Sequence, residues 1–155
     1  QLEPLYLELE ITESIAVRES DYFIAALNSL KELGVSIAID DFGTEYSSLG
    51  RLCVMPIDRI KLDMQFVRGI GRSEKEDAII RGIVGLAHTL GLKVIAEGVE
   101  TEIQLDFLTE SSIDKIQGFY YYKPVPPEEV EQILLDETTL KAYLCPERKI
   151  FPWMQ

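Results

Sequence analysis

The sequence predicts an α/β fold in which parallel strands with outer helices form part of a (β/α) barrel, with about five strand–helix units. Three observations lead there. Short strand-like runs alternate with helix-like runs along the chain, the cadence of right-handed crossovers between parallel strands. The strands have unlike faces: Leu5, Leu7, Leu9 and Ile11 oppose Tyr6, Glu8 and Glu10, and Ile60 and Leu62 oppose Arg59, Lys61 and Asp63. Val94 and Ala96 likewise oppose Lys93, Ile95 and Glu97. Finally, the strand-like runs end in acids or an amide: Glu10 and Glu13, Asp40 and Asp41, Asp63, Glu97 and Glu100, and Gln117.

An open sheet with one wet face would account for the mixed strands. A closed barrel accounts for them better, because its helices all lie outside and inward charges pair within it. Glu8, Arg59, Lys93 and Lys115 are expected to pair below the acidic layer, since each would be costly to bury alone. A complete eight-unit barrel takes about 250 residues. This chain has 155, so the expectation is a partial barrel, either lacking N-terminal units or completed by a second copy.

The elements follow in order. Leu5–Ile11 alternates as a strand, and Asp21–Leu33 reads as a helix with Ser20 as its cap and Gly34 after its last turn. Val35–Asp40 is a strand, Ser47–Cys53 a short helix and Arg59–Asp63 a strand. Ser73 and Glu76 form a capping box for a helix over Glu74–Leu90, which Gly91 ends. Lys93–Glu97 is a strand, and Thr101 with Gln104 boxes the start of a helix over Glu102–Glu110. A strand over Ile113–Tyr120 precedes a helix over Pro127–Leu135, where proline suits the first turn. Residues 1–135 are expected to form one domain portion and 136–155 a tail with no assigned role.

Composition narrows the function. With 46% hydrophobic and 27% charged residues, the chain supports one ordinary core. No apolar run approaches the roughly 18 residues of a membrane span, and no signal-peptide pattern opens the chain, so direct membrane insertion is not expected. Cys53 and Cys145 make neither a metal-ligand spacing nor a disulfide framework, which favours a reducing cytoplasm. His88, the only histidine, sits in an apolar helical pattern and reads as packed or half-exposed rather than catalytic. A net charge of −12 excludes a groove for a nucleic-acid polymer. It leaves room for a small phosphate-bearing ligand if cations stand between the two.

Acids gathered at one sheet edge repel one another unless cations fill the space between them. The inference is a divalent-metal site. Hard oxygen donors suit Mg²⁺ or Mn²⁺, and the chain lacks the thiolates and imidazoles that zinc favours. Two such ions can supply what phosphodiester hydrolysis needs: an activated nucleophile, neutralised phosphoryl oxygens and a stabilised leaving group. Taken singly, the residues have plainer readings. Asp40–Asp41 before Phe42-Gly43 suits a turn, Glu10 and Glu13 suit a helix approach, and Lys61 with Asp63 suits a barrel ion pair. Glu97 and Glu100 suit loop caps, and Gln117 suits a backbone contact.

Five motifs, EITE from Glu10, DDFGTEYSS from Asp40, KLD from Lys61, AEGVET from Ala96 and QGFYY from Gln117, resemble the EAL domain family in order and spacing. The resemblance spans residues from about 5 to 135. It implies a TIM-type barrel and a cyclic-di-GMP phosphodiesterase that uses two divalent cations. By the same resemblance, Glu10 and Asp40 would ligate the first metal, with Asp40 bridging to the second. Asp41 and Glu97 would ligate or support the second, Lys61 would hold and polarise the attacking water, and Asp63 would contact metal-bound water. Glu100 and Gln117 would complete the rim, and Glu13 would anchor the loop after the family's fifth strand. The family's Glu-Ala-Leu strand and an asparagine-bearing strand would precede Leu5, so the chain is expected to be inactive alone. Glu45 stands where the family usually has glycine, which favours the alternative of a degenerate domain that binds cyclic di-GMP as a receptor without cleaving it. A homodimer and upstream sensor or GGDEF modules are the partners that the family implies.

Overall fold

The computed structural model describes residues 2–17, 21–44 and 49–135. The chain divides into two compact units, Gln1–Tyr121 and Tyr122–Gln155. The first holds a parallel sheet of strands β1 (Glu8–Thr12), β2 (Ser36–Phe42), β3 (Arg59–Leu62), β4 (Lys93–Glu97) and β5 (Lys115–Gln117), paired in chain order. Helices α1 (Glu13–Val17) and α2 (Asp21–Glu32) follow β1, and α3 (Leu49–Leu52) follows β2. Helices α4 (Met64–Gly69) and α5 (Glu74–Thr89) follow β3, and α6 (Glu102–Glu110) follows β4. Helix α7 (Pro127–Leu135) belongs to the second unit and begins at Pro127. Among the described residues the sheet is not closed, so the architecture is a partial (β/α) barrel.

The aliphatic strand face carries the core. Ile37, Ile39, Ile60, Leu62, Val94 and Ala96 are buried, as are Leu27 of α2 and Ile80, Val84 and Ala87 of α5. Helix α2 packs on β2 and α5 on β4. Glu8 pairs with Arg59 on the opposite face, as the alternation predicts.

Two aspartate clamps of one design lock the N-terminal ends of the strands. Asp58 accepts two hydrogen bonds from Lys31 Nζ at 2.6 and 2.7 Å and one from the Ile37 N–H at 2.8 Å. Asp114 accepts from the Val94 N–H at 2.9 Å and from Lys93 Nζ at 2.7 Å, and lies 2.8 Å from His88 Nε2. Each aspartate precedes one strand, grips the start of its neighbour and meets a basic side chain at the end of the helix before that neighbour.

Several expectations change. The first strand begins at Glu8, not Leu5, because Pro4–Tyr6 forms a single 3₁₀ turn and the Leu7 N–H bonds to Pro4 O. Leu5 and Leu7 are consequently exposed. β5 ends at Gln117 rather than Tyr120: Gly118 lies directly against the Val99 backbone, and the Tyr120 N–H turns to Val99 O. Lys93 does not pair within the barrel. It is the first residue of β4, 64% exposed, and bonds to Asp114 at the sheet's N-terminal end. Lys115 is exposed. Ser73 Oγ accepts from the Glu76 N–H, and the Thr101–Gln104 box is complete. The cap expected at Ser20 lies outside the described residues, as do Glu45 to Ser48 and 136–155.

Burial opposes ionisation of Asp114, but Lys93, the Val94 N–H and His88 hold its carboxyl down to about 2, against 3.8 ordinarily. A carboxyl depressed in this way stabilises the fold fully above about pH 4 and loses that contribution as pH falls toward 2. Asp114→Asn is expected to lower stability by about 1–2 kcal/mol at neutral pH. Urea titrations from pH 7 down to 2.5 should show the wild-type advantage shrinking; a constant gap would contradict the clamp.

Candidate metal and active site

Lys61 organises the C-terminal edge of the sheet. Its position on β3 turns it to the charged face, where it is 6% exposed. Its ammonium lies 2.7 Å from Glu10 Oε1, 3.0 Å from Asp40 Oδ1 and 2.8 Å from Glu97 Oε1. Side chains from β1, β2 and β4 thus meet on one from β3. Burial disfavours the charged ammonium, but Glu10, Glu97 and Asp40 more than offset it and raise the Lys61 pKa. Lys61 is therefore a fixed cation at neutral pH, not a base.

Asp40 and Asp41 are neighbours, and in a regular strand they would point to opposite faces. The β2 register slips between Ile39 and Phe42, which pair with Ile60 and Leu62, so β2 holds one extra residue there. Asp41 sits in this bulge at φ 55°. The bulge brings both carboxylates to one place. One oxygen each from Asp40, Asp41 and Glu97 lies within 4.8 Å of the others. Burial, then the charges of Asp40 and Asp63, raise the Asp41 pKa, while Lys61 opposes them.

The turns bearing these acids are braced from behind. Glu13 is 2% exposed, and its Oε2 accepts from the Gly43 N–H at 2.8 Å, just past the bulge. Gly43, at φ 95°, lies so close to Phe66 of α4 that an added Cβ would fall 2.5 Å from the ring. Gly98, the residue after Glu97, at φ 70°, is pressed by Met64 of the same helix. Asp63 caps α4 by accepting from the Gln65 N–H at 2.8 Å, and its carboxyl also meets Asp41.

The expected residues therefore fall into groups. Glu10, Asp40, Asp41, Lys61 and Glu97 come together, Asp63 adjoins Asp41, and Glu13 lies behind them. Gln117 pairs in register with Glu97 on the last strand and is exposed. Glu100 is exposed in the following loop, its N–H bonded to Gln104 Oε1. The sequence reading missed α4 as a brace and Phe66 and Met64 as its pressing residues. The only signal was Asp63 immediately before an apolar run, which is a helix-cap pattern.

The site suits a divalent cation on structural grounds. Among the described residues, Asp40 Oδ1 is buried without a hydrogen-bond partner, although it lies 3.0 Å from the Lys61 ammonium. The clustered donors are hard carboxylate oxygens. Lys61→Met would leave three carboxylates around an apolar chain and should cost about 2–4 kcal/mol, discounted because Glu10 is half-exposed. Millimolar Mn²⁺ should restore part of the lost melting temperature; no restoration would count against cation affinity. Asp41→Gly should raise stability by about 0.5–1 kcal/mol in urea denaturation, relieving both positive φ and carboxylate repulsion. The same substitution should weaken Mn²⁺ binding, as read by calorimetry.

Comparison with known proteins agrees with this geometry. A family model described as EAL domain matches residues 1–124. The chain is 45% identical over 129 residues to the bifunctional diguanylate cyclase/cyclic di-GMP phosphodiesterase MucR of Pseudomonas aeruginosa, covering 83% of this chain and 19% of that protein. It superimposes on a MucR phosphodiesterase–c-di-GMP complex with a TM-score of 0.79, covering 83% of this chain and 52% of the other. A manganese and cyclic-di-GMP complex of Klebsiella pneumoniae BlrP1 gives 0.74 at 37% identity, covering 79% and 31%. The chain spans about a fifth or less of the length of the curated relatives it matches. Family match, sequence identity and shared fold lead to one conclusion: this chain belongs to the EAL domain family.

Proposed function

We propose that the chain is the acid-bearing part of a phosphodiesterase that hydrolyses cyclic di-GMP to linear pGpG with two divalent cations, Mg²⁺ or Mn²⁺. The observation that carries this reading is the convergence of Glu10, Asp40 and Glu97 on Lys61, beside the Asp40–Asp41–Glu97 triplet. The MucR and BlrP1 complexes support cyclic di-GMP as the ligand, and the BlrP1 complex supports manganese.

Glu10, Asp40 and Asp41 would hold the cations, with Glu97 at their side. Bound there, divalent ions neutralise charge on the phosphoryl oxygens and the leaving oxygen and make the attacking water more acidic. The chain's own groups do the rest. Lys61 stays protonated and supplies N–H donors that hold the water and polarise it. Glu97, whose Oε1 lies 2.8 Å from that ammonium, would accept the water's proton. Opening to pGpG forms one P–O bond to the water oxygen and breaks the P–O3′ bond; the departing O3′ takes a proton from solvent water, leaving a 5′-phosphate and a free 3′-hydroxyl. Asp63 contributes by fixing the strand end and contacting Asp41, while Glu100 and Gln117 stand at the rim.

We further propose that this portion has little activity by itself. Among the described strands β1 has only one neighbour, and Glu10 on it is half-exposed. The chain covers about half of the matched MucR structure, which supports a need for more of the domain. Homodimerisation, cytoplasmic location and attached sensor or GGDEF modules complete the reading; the double name of MucR supports the last of these. The test joins this chain to the preceding strands of an EAL domain and follows pGpG by chromatography. Hydrolysis should require Mg²⁺ or Mn²⁺, stop with EDTA and fall at least about 100-fold for Lys61→Ala or Glu97→Gln. Nucleotide binding by calorimetry without any product would instead establish the receptor alternative.

A further inference from the structure

The Glu97-bearing turn is tied to its neighbour by one side chain outside the acidic cluster. Gln104, in the first turn of α6, accepts from two consecutive backbone donors through Oε1: the Glu100 N–H at 2.8 Å and the Thr101 N–H at 3.0 Å. Its Nε2 points the other way and donates to Val67 O, near the end of α4, at 3.3 Å. An ordinary capping box needs only the Thr101 N–H contact and its reciprocal, the Gln104 N–H donating to Thr101 Oγ1 at 3.3 Å. The Nε2 bond is additional and joins two strand-end connections. At its other end α4 is capped by Asp63, two residues after Lys61, and presses Met64 onto Gly98, next to Glu97. A closed circuit results: Asp63, α4, Val67, Gln104, Glu100 and back to Glu97.

We propose that Gln104 is a positioning residue that sets the placement of Glu97 relative to Lys61 and so tunes cation affinity at the cluster. The inference rests on the metal reading above for its consequence, but not for its geometry. The two amide ends of Gln104 do separable jobs. Its carbonyl caps α6, and its NH₂ holds α4 to the turn. Gln104→Glu keeps two acceptor oxygens for Glu100 and Thr101, and its charge suits a helix N-terminus. It loses the donor to Val67 O and sets carboxylate oxygen against carbonyl oxygen. Gln104→Ala removes both functions.

The experiment compares wild type, Gln104→Glu and Gln104→Ala in the 155-residue chain. Three quantities are read: melting temperature, Mn²⁺ binding by calorimetry, and amide hydrogen exchange by mass spectrometry. Gln104→Glu should melt close to wild type and keep α6 exchange unchanged. It should exchange faster across α4 and residues 97–99, and bind Mn²⁺ about tenfold more weakly, the usual cost of losing a group that orients a metal ligand. Gln104→Ala should add faster exchange at the start of α6 and a lower melting temperature. Unchanged exchange across α4 and 97–99 in Gln104→Glu would overturn the proposal, as would a change confined to α6. If the wild-type chain holds no Mn²⁺, the metal reading fails, and the exchange comparison alone still decides the positioning role.

Discussion

A buried ammonium ringed by carboxylates from three other strands is the constraint on which the rest of this structure depends. Lys61 neutralises only part of the charge that Glu10, Asp40 and Glu97 bring to it. The cluster therefore holds four strand ends together and still keeps an excess of negative potential. Those two consequences belong together. An arrangement with enough basic side chains would be self-sufficient and indifferent to cations. One with none would spring apart.

Keeping that cluster compact takes more than parallel strands. A single extra residue in β2 lets Asp41 join Asp40, at the cost of a backbone angle that glycine tolerates better. The brace behind it is a six-residue helix, α4, whose Phe66 and Met64 lie so close to Gly43 and Gly98 that no side chain fits there. Local strain and tight backbone packing thus sit beside the acids, where a site that must hold several like charges needs rigid support.

Much of this was legible in the chain because several local signals agreed. Strand order followed from the alternation of runs, and α6 and α7 kept their expected bounds because a box and a proline mark their starts. The acids were legible as a strand-end pattern. What escaped has physical reasons. Helices α1 and α4 are only five and six residues long, too short for a helical period to show. Asp63 looked like chemistry, and that hid its second employment as a helix cap. A bulge changes no composition, so nothing in Asp40–Asp41 distinguished it from a regular strand. Lys93 obeyed its face but not its depth: at the very start of β4 the nearest acid is Asp114, outside the barrel's interior. Gln104 was visible as one half of a box, while its bond to Val67 depended on a helix the pattern did not reveal.

The paired aspartate clamps carry a broader implication. Asp58 and Asp114 fasten helix ends to strand starts at the end of the sheet opposite the acidic cluster. Each pole thus has its own fastening, the aspartates at the strand starts and the lysine-centred cluster at the strand ends. Evolutionary drift at the acidic pole, whether it trades an acid or lengthens a loop, leaves the aspartate fastenings at the opposite pole in place. A lineage can alter the acidic edge and keep its strand starts anchored.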